Sequence, residues 1–151
     1  MKSKWIIGVA VLIVAALAVG LAGFSSPITG NATAVGDVLK IPLSELSGNA
    51  KWYNYNFDGV NIRFFAVKAQ DGSIKTAFDA CDICYASKKG YRQEGDYMVC
   101  NNCGKRFLIS NLGTENKNPG GCWPGYLPSY IEGNNLVIKN SDLDSNRWRF
   151  A

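Results

Sequence analysis

The chain has no histidine among its 151 residues. A Ser-His-Asp catalytic set is therefore excluded, since no imidazole is available to take the proton. Imidazole is also missing from any metal site, so a transition metal held here takes sulfur from the protein. Charge is missing from one long stretch: no Asp, Glu, Lys or Arg occurs from Trp5 to Phe24. Basic residues nowhere form a run interleaved with aromatics, and the net charge of +4 falls to +2 once Lys2 and Lys4 are set aside. Nucleic acid is not an expected partner of such a surface. The cysteines are not framed by alternating strands and helices of the thioredoxin kind, which argues against a thiol-disulfide enzyme.

Sulfur is plentiful and patterned. Cys81-Asp82-Ile83-Cys84 is followed after 15 residues by Cys100-Asn101-Asn102-Cys103-Gly104. Each Cys-x-x-Cys turn places two sulfurs on one side, and an excursion of that length can fold back as a hairpin, so Cys81, Cys84, Cys100 and Cys103 are expected to converge on one point. Gly104 can take the left-handed conformation that tightens such a turn, whereas Tyr85 stands at the corresponding place after the first hook. An all-thiolate site favours zinc, a single iron, an iron–sulfur cluster or Cu(I) over hard, oxygen-seeking ions. Two plainer readings stand beside a functional metal. A closed zinc can staple the fold, or the hooks can form two disulfides with no metal.

The uncharged run from Trp5 to Phe24 is twenty residues long, enough at 1.5 Å per residue to cross a hydrocarbon core of about 30 Å. Residues 1–24 are thus a transmembrane anchor or a signal peptide, and the length favours the anchor because secretory apolar cores run only about 7–15 residues. Lys2 and Lys4 are the nearest positive charges, which points the remainder out of the cytoplasm. Residues 25–36 are small, polar and uncharged and read as a spacer. Residues 37–151 then form one soluble domain, and an oxidising compartment would allow disulfides within it.

That domain reads as mainly β with a little helix, its Cys-x-x-Cys hooks carried on hairpin turns and one transmembrane helix preceding it. Val38, Leu39 and Ile41 mark a strand running into a short helical turn after Pro42. Asp58-Gly59 joins an aromatic strand, Trp52 to Phe57, to an apolar one, Val60 to Val67. After Asp71-Gly72, the stretch from Ile74 to Phe78 leads into the first hook. Tyr91 to Gln93 and Tyr97 to Val99 make a small hairpin that returns to the second. A last hairpin pairs Tyr130-Ile131 with Leu136 to Ile138, and Ser141 to Asp144 marks a helix start or loop.

The fifth thiol, Cys122, lies in Pro119-Gly120-Gly121-Cys122-Trp123-Pro124-Gly125, a sharply turning loop. It can be an additional ligand, a disulfide partner or a buried structural thiol, and it is expected near the hooks as a neighbour of a site already filled by four sulfurs. Lys88, Lys89, Arg92, Lys105 and Arg106 lie close in sequence, where they can offset thiolate charge, while Asp79 and Asp82 act the other way.

Taken together, Ala77 to Cys84, Lys89 to Asp96, Met98 to Gly104 and Gly120 to Pro124 resemble the FtrD-like family of predicted membrane iron–sulfur proteins, from about Val35 to the C-terminus. The resemblance implies a membrane-tethered iron–sulfur or iron-binding domain, in some relatives an electron carrier linked to iron uptake. The expected protein is thus single-pass in the cell membrane, with an extracytoplasmic domain for electron transfer or metal handling rather than an enzyme. Its partners would be the membrane, through residues 5–24, and redox or iron-transport proteins. The alternative is a structural or interaction module stapled by a four-cysteine zinc or by disulfides.

Overall fold

The computed structural model describes residues 30–118 and 120–151. The expected transmembrane segment lies outside the described residues, and among those described no helix is long and apolar enough to cross a membrane. The described residues form ten short strands in three antiparallel sheets: β1 (Thr33–Val35), β2 (Val38–Pro42), β9 (Tyr130–Glu132) and β10 (Asn135–Lys139) in the order β1-β2-β10-β9; β3 (Lys51–Phe57), β4 (Val60–Lys68) and β5 (Ile74–Phe78); and β6 (Tyr91–Glu94), β7 (Tyr97–Cys100) and β8 (Arg106–Leu108). Among the described residues, helix is confined to 3-10 turns and one short α1 (Asn140–Asp144).

The β3-β4-β5 sheet is the middle layer, and its strands show why. Along β4, Ile62, Phe64 and Ala66 point to one core with Leu39, Ile41, Leu136 and Ile138 of the first sheet. The alternate residues Phe65 and Val67 point to a second core with Met98, Cys100 and Phe107 of the third sheet. Side chains alternate with period two along a strand, so a strand apolar at both parities is buried on both faces. The aromatic strand β3 divides in the same way, with Tyr53 stacked on Phe64 at 5.3 Å on one side and Trp52 beside Phe65 at 6.0 Å on the other.

Two expectations need correction. The segment 25–36 is not spacer throughout, because Thr33–Val35 pairs with β2 as an exposed edge strand, reversing through Gly36 at φ +57. Only the second hook sits on a hairpin turn, between β7 and β8. The first lies in the passage from β5 to β6, strands of different sheets, and turns through a 3-10 segment, Tyr85–Ser87, ending at the left-handed Lys88. A connection between layers has no ladder partner of its own, so its geometry is set by side-chain and tertiary contacts rather than by a hairpin register.

Candidate metal centre

β5 aims the first hook into the core between the middle and third sheets. Cys81 is 1% exposed, and its sulfur accepts a hydrogen bond from the Cys84 backbone N–H at 3.0 Å. The bond closes the hook. The Cys84 carbonyl in turn accepts from the N–H and hydroxyl of Ser87, at 3.0 and 2.7 Å, which holds the turn that follows. In the second hook Cys100 ends β7 and accepts at its carbonyl from Gly104 N–H at 2.9 Å, with Gly104 at φ +73 as its place in the turn requires. Asn101 joins the two hooks: its N–H donates to the Gly90 carbonyl and its amide to the Lys89 carbonyl, at 3.0 and 2.9 Å.

The third contributor is the Pro- and Gly-rich loop, which docks along the end of β5. Phe78 N–H donates to the Gly125 carbonyl and Gly125 N–H to the Ala80 carbonyl, both at 2.8 Å, continuing the bridge between Ala77 and Tyr126. Buried Asn116 donates to the Pro124 carbonyl at 2.8 Å, and the Tyr91 hydroxyl donates to the Cys122 carbonyl at 2.5 Å. Asp82, inside the first hook, accepts from Gly120 N–H with one oxygen and from Arg149 Nε and Nη2 with the other, the latter at 3.0 and 2.6 Å. Burial opposes charge on Asp82, but the Gly120 N–H and the guanidinium outweigh it and hold the carboxyl below its usual range.

These contacts gather all five sulfurs. Cys81, Cys84 and Cys122 lie within 4.8 Å of one another, and so do Cys84, Cys100 and Cys103. Cys84 belongs to both sets, and its sulfur is 3.7 Å from that of Cys122. No pair is bonded as a disulfide. Cys81, Cys100 and Cys122 are buried, Cys84 is half-buried and Cys103 is exposed, so the cluster runs from the core to the surface. A cavity of about 170 Å³ borders Cys81, Cys84 and Cys100, with Asp79, Lys88 and Arg149 also on its walls.

The thiols differ in acidity. Burial pushes Cys122 up to about 12 and Cys100 up to about 11, whereas the Lys105 backbone N–H leads a group of donors that lower Cys103 to about 7. A cation would replace the protons on the buried thiols, because metal coordination requires thiolates. Of the five basic residues near the hooks, Arg92 and Arg106 both pair with Glu94, at 2.7 and 2.8 Å, and Arg92 also donates to the Asn101 side chain of the second hook at 3.0 Å. Arg149, a residue of the C-terminal segment that no local motif marks, pairs with Asp82 inside the first hook at 2.6 Å.

Asp79 acts from behind the site. Its carboxylate is fully buried, pairs with Arg63 at 2.8 Å and accepts from Tyr91 N–H at 2.8 Å and the Trp52 indole at 3.2 Å. Burial nevertheless pushes it up to about 6.

Fold and donor set together define a mainly β domain with an all-thiolate cluster able to hold metal. The chain belongs to the FtrD-like family, described as membrane iron–sulfur containing proteins, whose model matches residues 46–150. No curated protein matches the chain. The residues present fit the family description: five thiols, a cavity bordering three of them, and, among the described residues, close sets made of cysteine alone.

Proposed function

We propose that the chain is a membrane-anchored protein whose extracytoplasmic domain holds iron or an iron–sulfur cluster at Cys81, Cys84, Cys100 and Cys103, and carries electrons or handles metal for iron uptake. The observation that carries this reading is the sulfur cluster itself, buried at one end and exposed at Cys103. Such a centre would supply one-electron exchange or sulfur-held iron. The chain's own residues hold the thiolates in place, keep water from Cys81 and Cys100, and present one edge to a partner. Arg149 and Lys88 beside the first hook offset part of the negative charge, which favours the reduced state. The anchor and the outward orientation rest on the uncharged run from Trp5 to Phe24 behind Lys2 and Lys4.

Metal analysis and an absorption spectrum of the full chain, purified from its membrane without added metal, test the reading. Iron with thiolate-to-iron charge-transfer bands is expected. Stoichiometric zinc and a featureless visible spectrum would replace it with the stapled-module alternative.

A further inference from the structure

Four sulfurs around one tetrahedral ion must lie on six edges of about 3.8 Å, given metal–sulfur bonds of about 2.3 Å. Among the described residues the mutually close sets stop at three sulfurs, and there are two of them sharing Cys84. The four hook sulfurs do not form one such set: Cys81 groups with Cys84 and Cys122, and Cys100 and Cys103 group with Cys84, with Cys103 also reaching Cys122. The Cys84 to Cys122 separation of 3.7 Å, by contrast, is a tetrahedral edge.

From this arrangement we infer that the centre has two metal positions bridged by the Cys84 thiolate: an inner one held by Cys81, Cys84 and Cys122, and an outer one held by Cys84, Cys100 and Cys103. This makes Cys122 a ligand rather than a neighbour. The inference rests on reading the sulfurs as a metal centre, but not on the metal being iron. The ions it takes are thiophilic divalent cations, for which thiolate is the preferred donor.

Burial separates the two positions. The inner triangle has two buried members, and its Cys122 corner is fixed by Tyr91, Asn116 and the Asp82–Gly120 contact. The outer triangle includes exposed Cys103 on a hairpin turn. Three protein ligands leave each ion a further coordination place, as in metal sites that exchange ligands and unlike closed four-cysteine staples. Five thiolates carry one more negative charge than two divalent cations neutralise, and Arg149 and Lys88 line the adjoining cavity. Every thiol that enters protonated releases its proton on binding.

Cobalt(II) titration of the full chain in detergent, reduced and stripped of metal, tests the inference. Sulfur-to-cobalt absorption should rise to two equivalents, while the high-spin cobalt EPR signal rises over the first and falls over the second, as a bridging thiolate couples the two ions. Cys122→Ser should retain one equivalent and lose the fall in EPR signal. Cys103→Ser alters an exposed turn position, so it carries the same expectation for the outer ion even if Cys122→Ser fails to fold. A wild-type endpoint of one equivalent, unchanged in Cys122→Ser, would overturn the inference, as would an EPR signal that rises throughout to two equivalents. Iron content of the protein as purified decides the functional reading separately, because the cobalt endpoint does not depend on the native metal.

Discussion

The sulfurs of Cys84 and Cys122 lie 3.7 Å apart although 38 positions separate them in the chain. The contact is made by the loop after Asn118, which lies along the end of β5 through Gly125 and is pinned by the Tyr91 hydroxyl. Tyr91→Phe keeps the ring packed on Phe65 and Phe107 and removes only that hydroxyl. It should lower unfolding stability by about 1–2 kcal/mol, the usual effect of losing a buried hydrogen bond, and weaken metal retention more than Phe107→Leu of similar stability. Denaturant midpoints and metal release to a chelator, measured side by side, check this.

Gly90 joins the first hook to β6 at φ +63, and a Cβ there would overlap the Asp79 carboxylate. No flexible tip can move aside, since the carboxylate is held by Arg63, Trp52 and the Tyr91 N–H. Gly90→Ala should therefore destabilise by at least about 2 kcal/mol, combining left-handed strain with displacement of a buried ion pair. Gly95→Ala, also at positive φ but with open space around its Cβ, should pay only the backbone strain. Thermal melts of the two variants should separate clearly.

In the metal-free, reduced protein Cys103 should be the first thiol alkylated. It is exposed, and neighbouring N–H donors lower it to about 7, whereas burial holds Cys100 and Cys122 at about 11 and 12. A lowered thiol gains its reactive thiolate as pH rises through its own value, so the labelling rate should climb around pH 7 and level off above it. Bound metal should suppress the labelling. Mass mapping of iodoacetamide adducts against pH gives the order directly.

Asp79 is raised by burial from its ordinary value to about 6. For a carboxyl raised in the folded state, the unfolded chain ionises first. Stability from this group is therefore unaffected below about pH 4, falls as pH rises to about 6, and stays at its lower level above that. Asp79→Asn should flatten this part of the stability curve between about pH 4 and 6. Urea unfolding across that range, wild type against variant, reads the difference.

Much of the fold was legible because its signals are local. Asp58-Gly59, Glu94-Gly95-Asp96 and Gly133-Asn134-Asn135 each turn an antiparallel pair, and the flanking alternation places the strands. The hooks were legible for the same reason, since two cysteines three residues apart are a local pattern. The pairing of β2 with β10 across the length of the chain was not, because strands of equal apolarity do not name their partner. That Cys122 lies near the hooks was legible from its Pro- and Gly-rich loop, but the contacts that hold it there were not. Its loop is positioned by Asn116, Tyr91, Asp82 and Arg149, single polar residues whose partners are far away in sequence. Arg149 in particular lies in Arg147-Trp148-Arg149-Phe150, where nothing in the spacing separates a buried clamp from an exposed basic residue.

Mössbauer spectroscopy of the full chain, produced in cells grown on isotopically enriched iron, tests the central claim most directly. Iron in a tetrahedral, sulfur-rich environment is expected, lost when Cys84 is replaced by Ser. Protein that carries no iron, or iron with the parameters of six oxygen or nitrogen ligands that Cys84→Ser leaves unchanged, would contradict it.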